Sequence, residues 1–179
     1  MSGLKNPYET LVDRLIHDGI KMVAVDFDLT LVSVHTNGSW MFTARPLASR
    51  IRPGFPEFLS EVLRKGLWLA VVTFSPQVDL VRDVLRTVLS EKDMERICIR
   101  GNTSDWKPYP SCRKEGKQSH IESAAKYFYK ASKMKIKPQE VLLFDDDDEN
   151  IRVAKTYSMR TVKVVDNTTL PSLLSRDNF

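Results

Sequence analysis

The chain has 179 residues, of which 42% are hydrophobic and 28% charged, and its formal net charge is +4. This length suits one domain with a real core, and the composition is ordinary for a globular protein. The longest uncharged apolar stretch, GLWLAVVTF, is far shorter than the roughly 20 residues of a membrane helix, and the N-terminus lacks the apolar segment of a signal peptide. We therefore predict a cytoplasmic protein with no membrane partner and one domain over residues 1–179.

The apolar pattern predicts strands and helices that alternate along the chain. An N-terminal helix is expected within residues 1–19. Short apolar runs predict strands at 22–25, 67–72, 96–99, 141–144 and 161–165. Apolar residues at helical spacing predict helices at 53–66, 78–90, about 119–132 and 149–159. This alternation is typical of an α/β fold, a doubly wound parallel sheet with helices on both faces.

Two connections stand out between these elements. The segment 33–51 is polar and mixed, and it is expected to form a flap over one end of the sheet. The segment 100–118 is a long polar loop. Neither is long enough for a separate cap domain, so we predict a minimal cap or none.

The two cysteines, Cys98 and Cys112, form no C-x-x-C pair and lack the histidine spacing of a zinc site. Both are expected to be free thiols.

Polar residues directly follow three of the predicted strands. Asp26 ends the run MVAVD, Thr73 follows LWLAVV, and Asp145 follows VLLF. Charge next to a buried strand is costly unless a partner offsets it. In open parallel sheets, ligands bind beyond the carboxyl ends of the strands, so these residues predict a functional site.

The stretch DFDLT, residues 26–30, matches the D-x-D-x-T motif of the haloacid dehalogenase-like (HAD) phosphatases. Further motifs follow in the family's order: Thr73 in VVTFS, Lys117 before a helix, and an acid pair in FDDDDENI. The chain thus resembles this superfamily over about residues 20–166. The stretches GKQSHI and FDDDDENI are most similar to its magnesium-dependent phosphatase branch, which has little or no cap domain.

This resemblance implies Mg²⁺-dependent phosphohydrolysis through an aspartyl-phosphate. Asp26 would be the nucleophile, and Asp28 would protonate the leaving oxygen and then take a proton from water. Asp26, Asp146 and the backbone carbonyl of Asp28 would ligate Mg²⁺. Thr73 and Lys117 would hold the phosphoryl oxygens.

The remaining site residues are expected to bind substrate or to support the others. Ser75 would contact the substrate beside Thr73. Thr30 would orient the first carboxylate, while Asp145 and Asn150 would support the acidic loop.

Some choices in this assignment stay open. Lys107 and Lys114 lie in the same loop as Lys117 and could replace it; Lys117 is preferred because it directly precedes a helix and His120 follows three residues later. His120 is interpreted as a helix-start residue. Leu29 stands where many members of the superfamily have glycine, and Asn150 replaces a frequent second aspartate.

The implied partner is a phosphorylated small molecule or phosphoprotein. Basic residues and aromatics crowd into 107–137, so a nucleic acid partner is conceivable, but a solvated helix face is the favoured interpretation. Two alternative functions follow: a catalytically weak HAD-fold binding or regulatory protein, and a nucleic-acid 3′-phosphatase.

Overall fold

The computed structural model describes residues 6–106 and 116–175. In that part of the chain the strands are β1 (Met22–Val25), β2 (Trp68–Val72), β3 (Ile97–Arg100), β4 (Val141–Asp145) and β5 (Arg160–Lys163). The helices are α1 (Glu9–His17), α2 (Ala44–Ala48), α3 (Phe55–Arg64), α4 (Val78–Arg86), α5 (Glu91–Met94), α6 (Gln118–Ser132), α7 (Asp148–Thr156) and α8 (Thr169–Ser172), with 3₁₀ turns at Pro138–Glu140 and Leu173–Ser175.

The strands form one parallel sheet in the order β3-β2-β1-β4-β5. β1 lies at the centre, between β2 and β4. Its last residue, Val25, pairs with Val71 on one side and with Phe144 on the other. The first and fourth strands therefore end side by side, as a metal site shared by Asp26 and Asp146 requires.

Both faces of the sheet are covered, which confirms the doubly wound α/β fold. Side chains of a strand alternate between its faces, and in β1 Val23 and Val25 join one apolar cluster while Met22 and Ala24 join the other. All four are buried completely. A central strand covered on both faces needs apolar residues at every position, which explains the uninterrupted apolar run in the sequence.

Several element ends differ from the predicted ones because of local backbone geometry. Helix α3 begins at Phe55 because Gly54 precedes it at φ +86°, and a side chain there would overlap the Tyr8 hydroxyl. The segment predicted as one helix over 78–90 contains α4 alone, and α5 is separate because Ser90 caps its start.

The flap segment 33–51 contains α2 and is closed at its base by an antiparallel bridge between Val32 and Ile51. The Gln77 side chain binds both backbone groups of one flap residue, Trp40. It accepts a hydrogen bond from the Trp40 amide at 2.7 Å and donates one to the Trp40 carbonyl at 3.0 Å. The flap is thus fixed to the β2–α4 connection. The described residues contain no separate cap domain.

The turn after β1 contains a backbone conformation that favours glycine. Leu29 has φ +58°, in the left-handed region, which is costly for a residue with a side chain. Its amide donates to the Val34 carbonyl at 3.1 Å, and its carbonyl accepts two hydrogen bonds from Arg52, at 3.2 and 2.9 Å. These contacts hold the turn although leucine replaces the glycine.

Cys98 is a buried free thiol, and burial raises its pKa to about 11. The predicted free thiol Cys112 and the alternative lysines Lys107 and Lys114 lie outside the described residues. Among the described residues, no helix has the length and apolar character to cross a membrane.

We expect Phe58→Ala to lower the free energy of unfolding by about 3–5 kcal/mol, because the fully buried Phe58 ring packs against Tyr8 and Phe144. The matched control is Phe42→Ala, which removes the same atoms from a ring that is 70% exposed and should change stability by less than about 1 kcal/mol. Urea unfolding measures both. Similar losses in the two variants would contradict the assigned core.

Candidate active site

Three carboxylates meet at the carboxyl edge of the sheet. Asp26 follows β1, Asp145 is the last residue of β4, and Asp146 comes next. Each offers an oxygen within 4.8 Å of those of the other two. The register explains this meeting, because Val25 pairs with Phe144 and the residues that follow them reach the same level of the sheet.

Burial makes the negative charge of this carboxylate cluster costly. Asp26 is 5% exposed and Asp145 is fully buried. Loss of solvation raises the pKa of Asp26 to about 7; the charges of Asp145 and Asp146 act in the same direction, and that of Lys117 opposes them. Burial also raises the pKa of Asp145.

Lys117 supplies a buried cation at this cluster. It lies just before α6, its side chain is 2% exposed, and its ammonium nitrogen donates to Asp26 Oδ1 at 2.7 Å. The same nitrogen lies 3.6 Å from the centroid of the Phe74 ring, a distance that favours cation–π attraction. The fold therefore brings Lys117 into direct contact with Asp26.

Hydrogen bonds fix the orientation of the two acids of β4. The Asn150 amide donates to both oxygens of Asp145, at 3.0 and 3.2 Å, and the Asp147 amide donates to Oδ1 at 3.0 Å. Thr30 donates to Asp146 Oδ1 at 3.0 Å. This contact differs from the expectation that Thr30 would orient Asp26, because the turn after β1 directs its hydroxyl toward the neighbouring strand.

One lysine facing three carboxylates leaves an excess of negative charge, and oxygen ligands at this spacing fit a divalent cation. The carboxylate cluster differs from the ligand set expected from the sequence in one member. Asp145, expected only as a supporting residue, contributes a carboxylate. Asp28 is expected to contribute its backbone carbonyl rather than its carboxylate, and the carboxylate Oδ2 accepts from the Thr36 hydroxyl at 2.8 Å.

Thr73 and Ser75 lie across from these acids, after β2. Both are almost completely buried. Their hydroxyl oxygens accept from backbone amides, Thr73 from Ser75 at 3.1 Å and Ser75 from Gln77 at 3.2 Å. Because the lone pairs are used in this way, the hydroxyl hydrogens are left to donate to an anion.

No family model matches the sequence, and no curated protein matches it significantly. Solved structures do. The N-terminal part of protein BF1531 from Bacteroides fragilis, which contains a phosphatase domain and is complexed with Mg, matches 92% of this chain at 13% identity with a TM-score of 0.60. This chain spans only 42% of that protein.

A candidate phosphatase from Clostridium difficile matches 81% of this chain and 85% of its own at 14% identity, with a TM-score of 0.51. With the D-x-D-x-T motif at the end of β1, these similarities identify the fold. The chain has the HAD fold. At such low identity the similarity concerns the fold alone. A further candidate HAD-like hydrolase, from Porphyromonas gingivalis, covers 89% of this chain at 14% identity, but its TM-score of 0.49 gives it no weight here.

In this HAD fold, a cavity of about 970 Å³ opens above the carboxylate cluster. The sequence analysis did not identify several of its lining residues: Leu29, His35, Asn37, Gly38, Phe74, Pro76, Gly116, Asp147 and Glu149. Most of these come from the flap and the β2–α4 connection. His35, Asn37 and Gly38 belong to no motif and reach the cavity through the flap, which is docked on Gln77. Most of the others lie inside the matched motifs, where the pattern alone did not show that their side chains face the cavity.

His120 lies in the first turn of α6, as expected of a helix-start residue. It is buried, and its Nε2 lies 3.1 Å from the Asn102 side-chain oxygen. Its ring contacts Phe74 and Trp106 edge-on, with centroids 5.4 and 4.7 Å away. It therefore supports the Phe74 ring that covers Lys117.

The described part of the basic region contributes Gly116 and Lys117 to the cavity, and its other lysines do not line it. Helix α6 starts at the carboxyl edge of the sheet, and its 15 residues extend about 22 Å toward the opposite edge. Five exposed lysines lie at that far end and just beyond it: Lys126, Lys130, Lys133, Lys135 and Lys137. This placement fits a solvated face better than a contact with the group that enters the cavity.

The raised pKa of Asp26 predicts a pH-dependent stability of the metal-free protein. Below the ordinary value of 3.8 both the folded and the unfolded state hold the proton, and between 3.8 and about 7 only the folded state does. The contribution of Asp26 to the free energy of unfolding should therefore decrease as pH rises through this interval. We expect urea unfolding between about pH 5 and about pH 8 to show a smaller decrease for Asp26→Asn than for the wild type.

The control is Asp148→Asn, which neutralises a side chain that is 82% exposed and should keep the wild-type pH dependence. An Asp26→Asn variant with the same pH dependence as the wild type would contradict the raised pKa.

Proposed function

We propose that this protein is a Mg²⁺-dependent phosphohydrolase of the HAD type that cleaves phosphate monoesters through an aspartyl-phosphate, and that it belongs to the magnesium-dependent phosphatase branch. One observation carries the proposal. A buried carboxylate at the end of the central strand, Asp26, lies beside a buried lysine and two further carboxylates at the floor of an open cavity. Structural ion pairs rarely need this excess of buried negative charge.

Asp26 is the proposed nucleophile. One of its oxygens attacks phosphorus in line with the leaving oxygen, so that a new P–O bond forms as the ester bond breaks. Lys117, which donates to Asp26 at 2.7 Å, opposes the rise of the Asp26 pKa and thereby favours the ionised form, and it orients this carboxylate before the reaction. As negative charge builds up on the phosphoryl oxygens, the same ammonium group can donate hydrogen bonds to them.

Thr73, Ser75 and Lys117 are the proposed phosphate-binding residues. The two hydroxyl groups follow β2 and line the cavity together with the lysine. Their hydrogens are available to an anion, whereas their oxygens already accept from backbone amides. Such donors lower the barrier if they contact the phosphoryl oxygens on which charge accumulates in the transition state.

Asp28 is the proposed acid/base residue. It lines the cavity, and its side chain is 13% exposed. In the first step it gives its proton to the leaving oxygen, which departs as an alcohol. In the second step it takes a proton from the water that attacks the phosphorylated Asp26, and this attack releases phosphate.

Asp26, Asp145 and Asp146 are suited to hold Mg²⁺, together with the backbone carbonyl of Asp28. When bound, this ion neutralises phosphoryl charge and orients the phosphate. Thr30, Asn150 and the Asp147 amide hold the acids in place for it.

The proposed substrate is a phosphorylated small molecule or phosphoprotein in the cytoplasm. Among residues 6–106 and 116–175, the flap and the β2–α4 connection border the cavity of about 970 Å³ and neither forms a domain over it, so we propose that a group on the surface of a large molecule can reach it. We further propose that residues 1–179 form one domain.

We expect the purified protein to hydrolyse p-nitrophenyl phosphate with Mg²⁺. Asp26→Asn should lower kcat by at least about 1,000-fold, since it removes the nucleophile, and Lys117→Met by about 100-fold or more, since it removes the cation at the transferring group. Asp148→Asn, an exposed change in the same acidic run, is the control and should keep activity. The phosphoryl group should be found on the peptide that contains Asp26 by mass spectrometry of quenched turnover.

A wild-type protein without Mg²⁺-dependent turnover on any of a panel of phosphotyrosine peptides, sugar phosphates and nucleotides would overturn the proposal in favour of an HAD-fold binding protein. Competition by single-stranded oligonucleotides that weakens steeply with salt would instead support the 3′-phosphatase alternative.

The metal proposal has a test that does not depend on turnover. We expect Mg²⁺ to raise the melting temperature, with about 2.7 kcal/mol of stabilisation at 100 times its dissociation constant. The increase should be larger at high pH, because Mg²⁺ and protons compete for the same carboxylates. Asp146→Asn should lose most of the increase and Asp148→Asn should keep it. An equal increase in both variants would place the ion elsewhere.

A further inference from the structure

We propose that Phe74 is a positioning residue: the face of its ring holds the Lys117 ammonium group beside Asp26, and this contact raises the rate of phosphoryl transfer. The effect on the rate rests on the proposed function, whereas the contact between ring and ammonium group does not. Phe74 stands between Thr73 and Ser75 in the sequence, and the resemblance to the HAD motifs implies no role for its side chain.

The exposure of Phe74 shows that the ring is not part of the core. Phe74 is 47% exposed, although Thr73 and Ser75 on either side of it are almost completely buried. In the part of the chain that the structure describes, it belongs to neither of the two apolar clusters that cover the sheet. Burial of apolar area, which stabilises a core phenylalanine, therefore does not explain why this ring lies at the cavity.

The face of the ring is occupied by the Lys117 ammonium group. The nitrogen lies 3.6 Å from the ring centroid, well inside the limit of about 6 Å for a cation–π contact. The lysine side chain is 2% exposed, so that little water solvates its charge. A ring attracts a desolvated cation more strongly than an exposed one. Phe74 thus offsets part of the cost of burying this charge.

The hydrogen bonding of the ammonium group leaves it a freedom of movement that the ring restricts. The group has three N–H donors, and among residues 6–106 and 116–175 it donates to Asp26 Oδ1 alone, at 2.7 Å. A long, flexible lysine side chain with one such bond can rotate about it. The ring fixes a second side of the nitrogen, and the remaining hydrogens are left for a group in the cavity that Lys117 lines.

The ring is itself held by the chain that follows β3. The His120 ring meets Phe74 edge-on, with centroids 5.4 Å apart, and His120 Nε2 lies 3.1 Å from the Asn102 side-chain oxygen. The Asn102 amide donates to the Ser75 carbonyl at 3.1 Å. A side chain at Gly101 would overlap the same carbonyl oxygen. These contacts fix both the backbone next to Phe74 and the ring that packs against its edge.

An aromatic ring suits this position better than a further acid would. A fourth carboxylate would also attract the ammonium group, but it would add to the negative charge of Asp26, Asp145 and Asp146 and repel an incoming phosphate. The ring attracts a cation through its quadrupole and has no net charge. It therefore holds the lysine without opposing the substrate, and a displacement of a positioned charged group lowers the rate of a reaction steeply.

The first test weakens the ring face while the shape of the side chain is nearly kept. Phe74 is replaced by mono-, di- and trifluorinated phenylalanine, because each fluorine withdraws electrons from the ring face that attracts the cation. We expect the equilibrium constant for urea unfolding of the metal-free protein to rise stepwise, by about 3-fold to 30-fold over the series. The same series in the double variant Asp26→Asn/Lys117→Met, which removes both charges of the ion pair, should show no such trend.

The second test measures the effect on turnover in the same fluorinated proteins. With Mg²⁺ and p-nitrophenyl phosphate, kcat should fall stepwise, by about 3-fold to 30-fold over the series. KM should change by less than about threefold. The matched control is the same series at Phe42, a flap ring that is 70% exposed and contacts Trp40 edge-on, which should keep both kcat and stability.

The inference would be overturned by an absence of the trend in unfolding, or by an equal trend in the variant without the ion pair. It would also be overturned by a trend in unfolding with unchanged kcat, or by a change in KM alone, which would assign the ring to substrate contact. A wild type without turnover would overturn the proposed function, and the unfolding series would still decide whether the ring holds the ammonium group.

Discussion

The ion pair between Lys117 and Asp26 is the interaction on which the rest of the site depends. It joins a buried ammonium group to a buried carboxylate at 2.7 Å, where neither charge could remain alone at acceptable cost. Because Asp145 and Asp146 lie beside it, the single lysine leaves part of the negative charge uncompensated. A stable fold tolerates such an excess where a bound cation offsets it, which is why the site indicates cation binding rather than structural support.

The sheet provides this arrangement through register. β1 is covered on both faces and lies between β2 and β4. The residues that follow these strands therefore lie at one edge of the sheet, and the strands fix their positions. Acids come from β1 and β4, and hydroxyl groups follow β2. The carboxylates and the proposed phosphate-binding hydroxyl groups consequently lie at the ends of rigid strands, as precise catalysis requires.

The turn after β1 and the flap add hydrogen bonds to the acids that the strands do not provide. Leu29 adopts a left-handed conformation held by Arg52 and Val34, and this turn carries Thr30 toward Asp146 and Asp28 toward the flap. The flap in turn brings Thr36 to Asp28. One short connection therefore contacts both a ligand of the proposed metal site and the proposed acid.

The sequence by itself determined the strands, the doubly wound sheet and most of the residues at the site, because apolar periodicity and the spacing of acids after buried runs are local properties. Asp26 and Thr73 could be selected in this way, whereas Lys117 was selected through the resemblance to the HAD motifs. Tertiary structure decided that Asp145 joins the carboxylates, that Thr30 binds Asp146, and that Thr36 reaches Asp28. These contacts join residues 8 to 119 positions apart, and the direction of each side chain follows from strand register and flap docking, which no local pattern encodes.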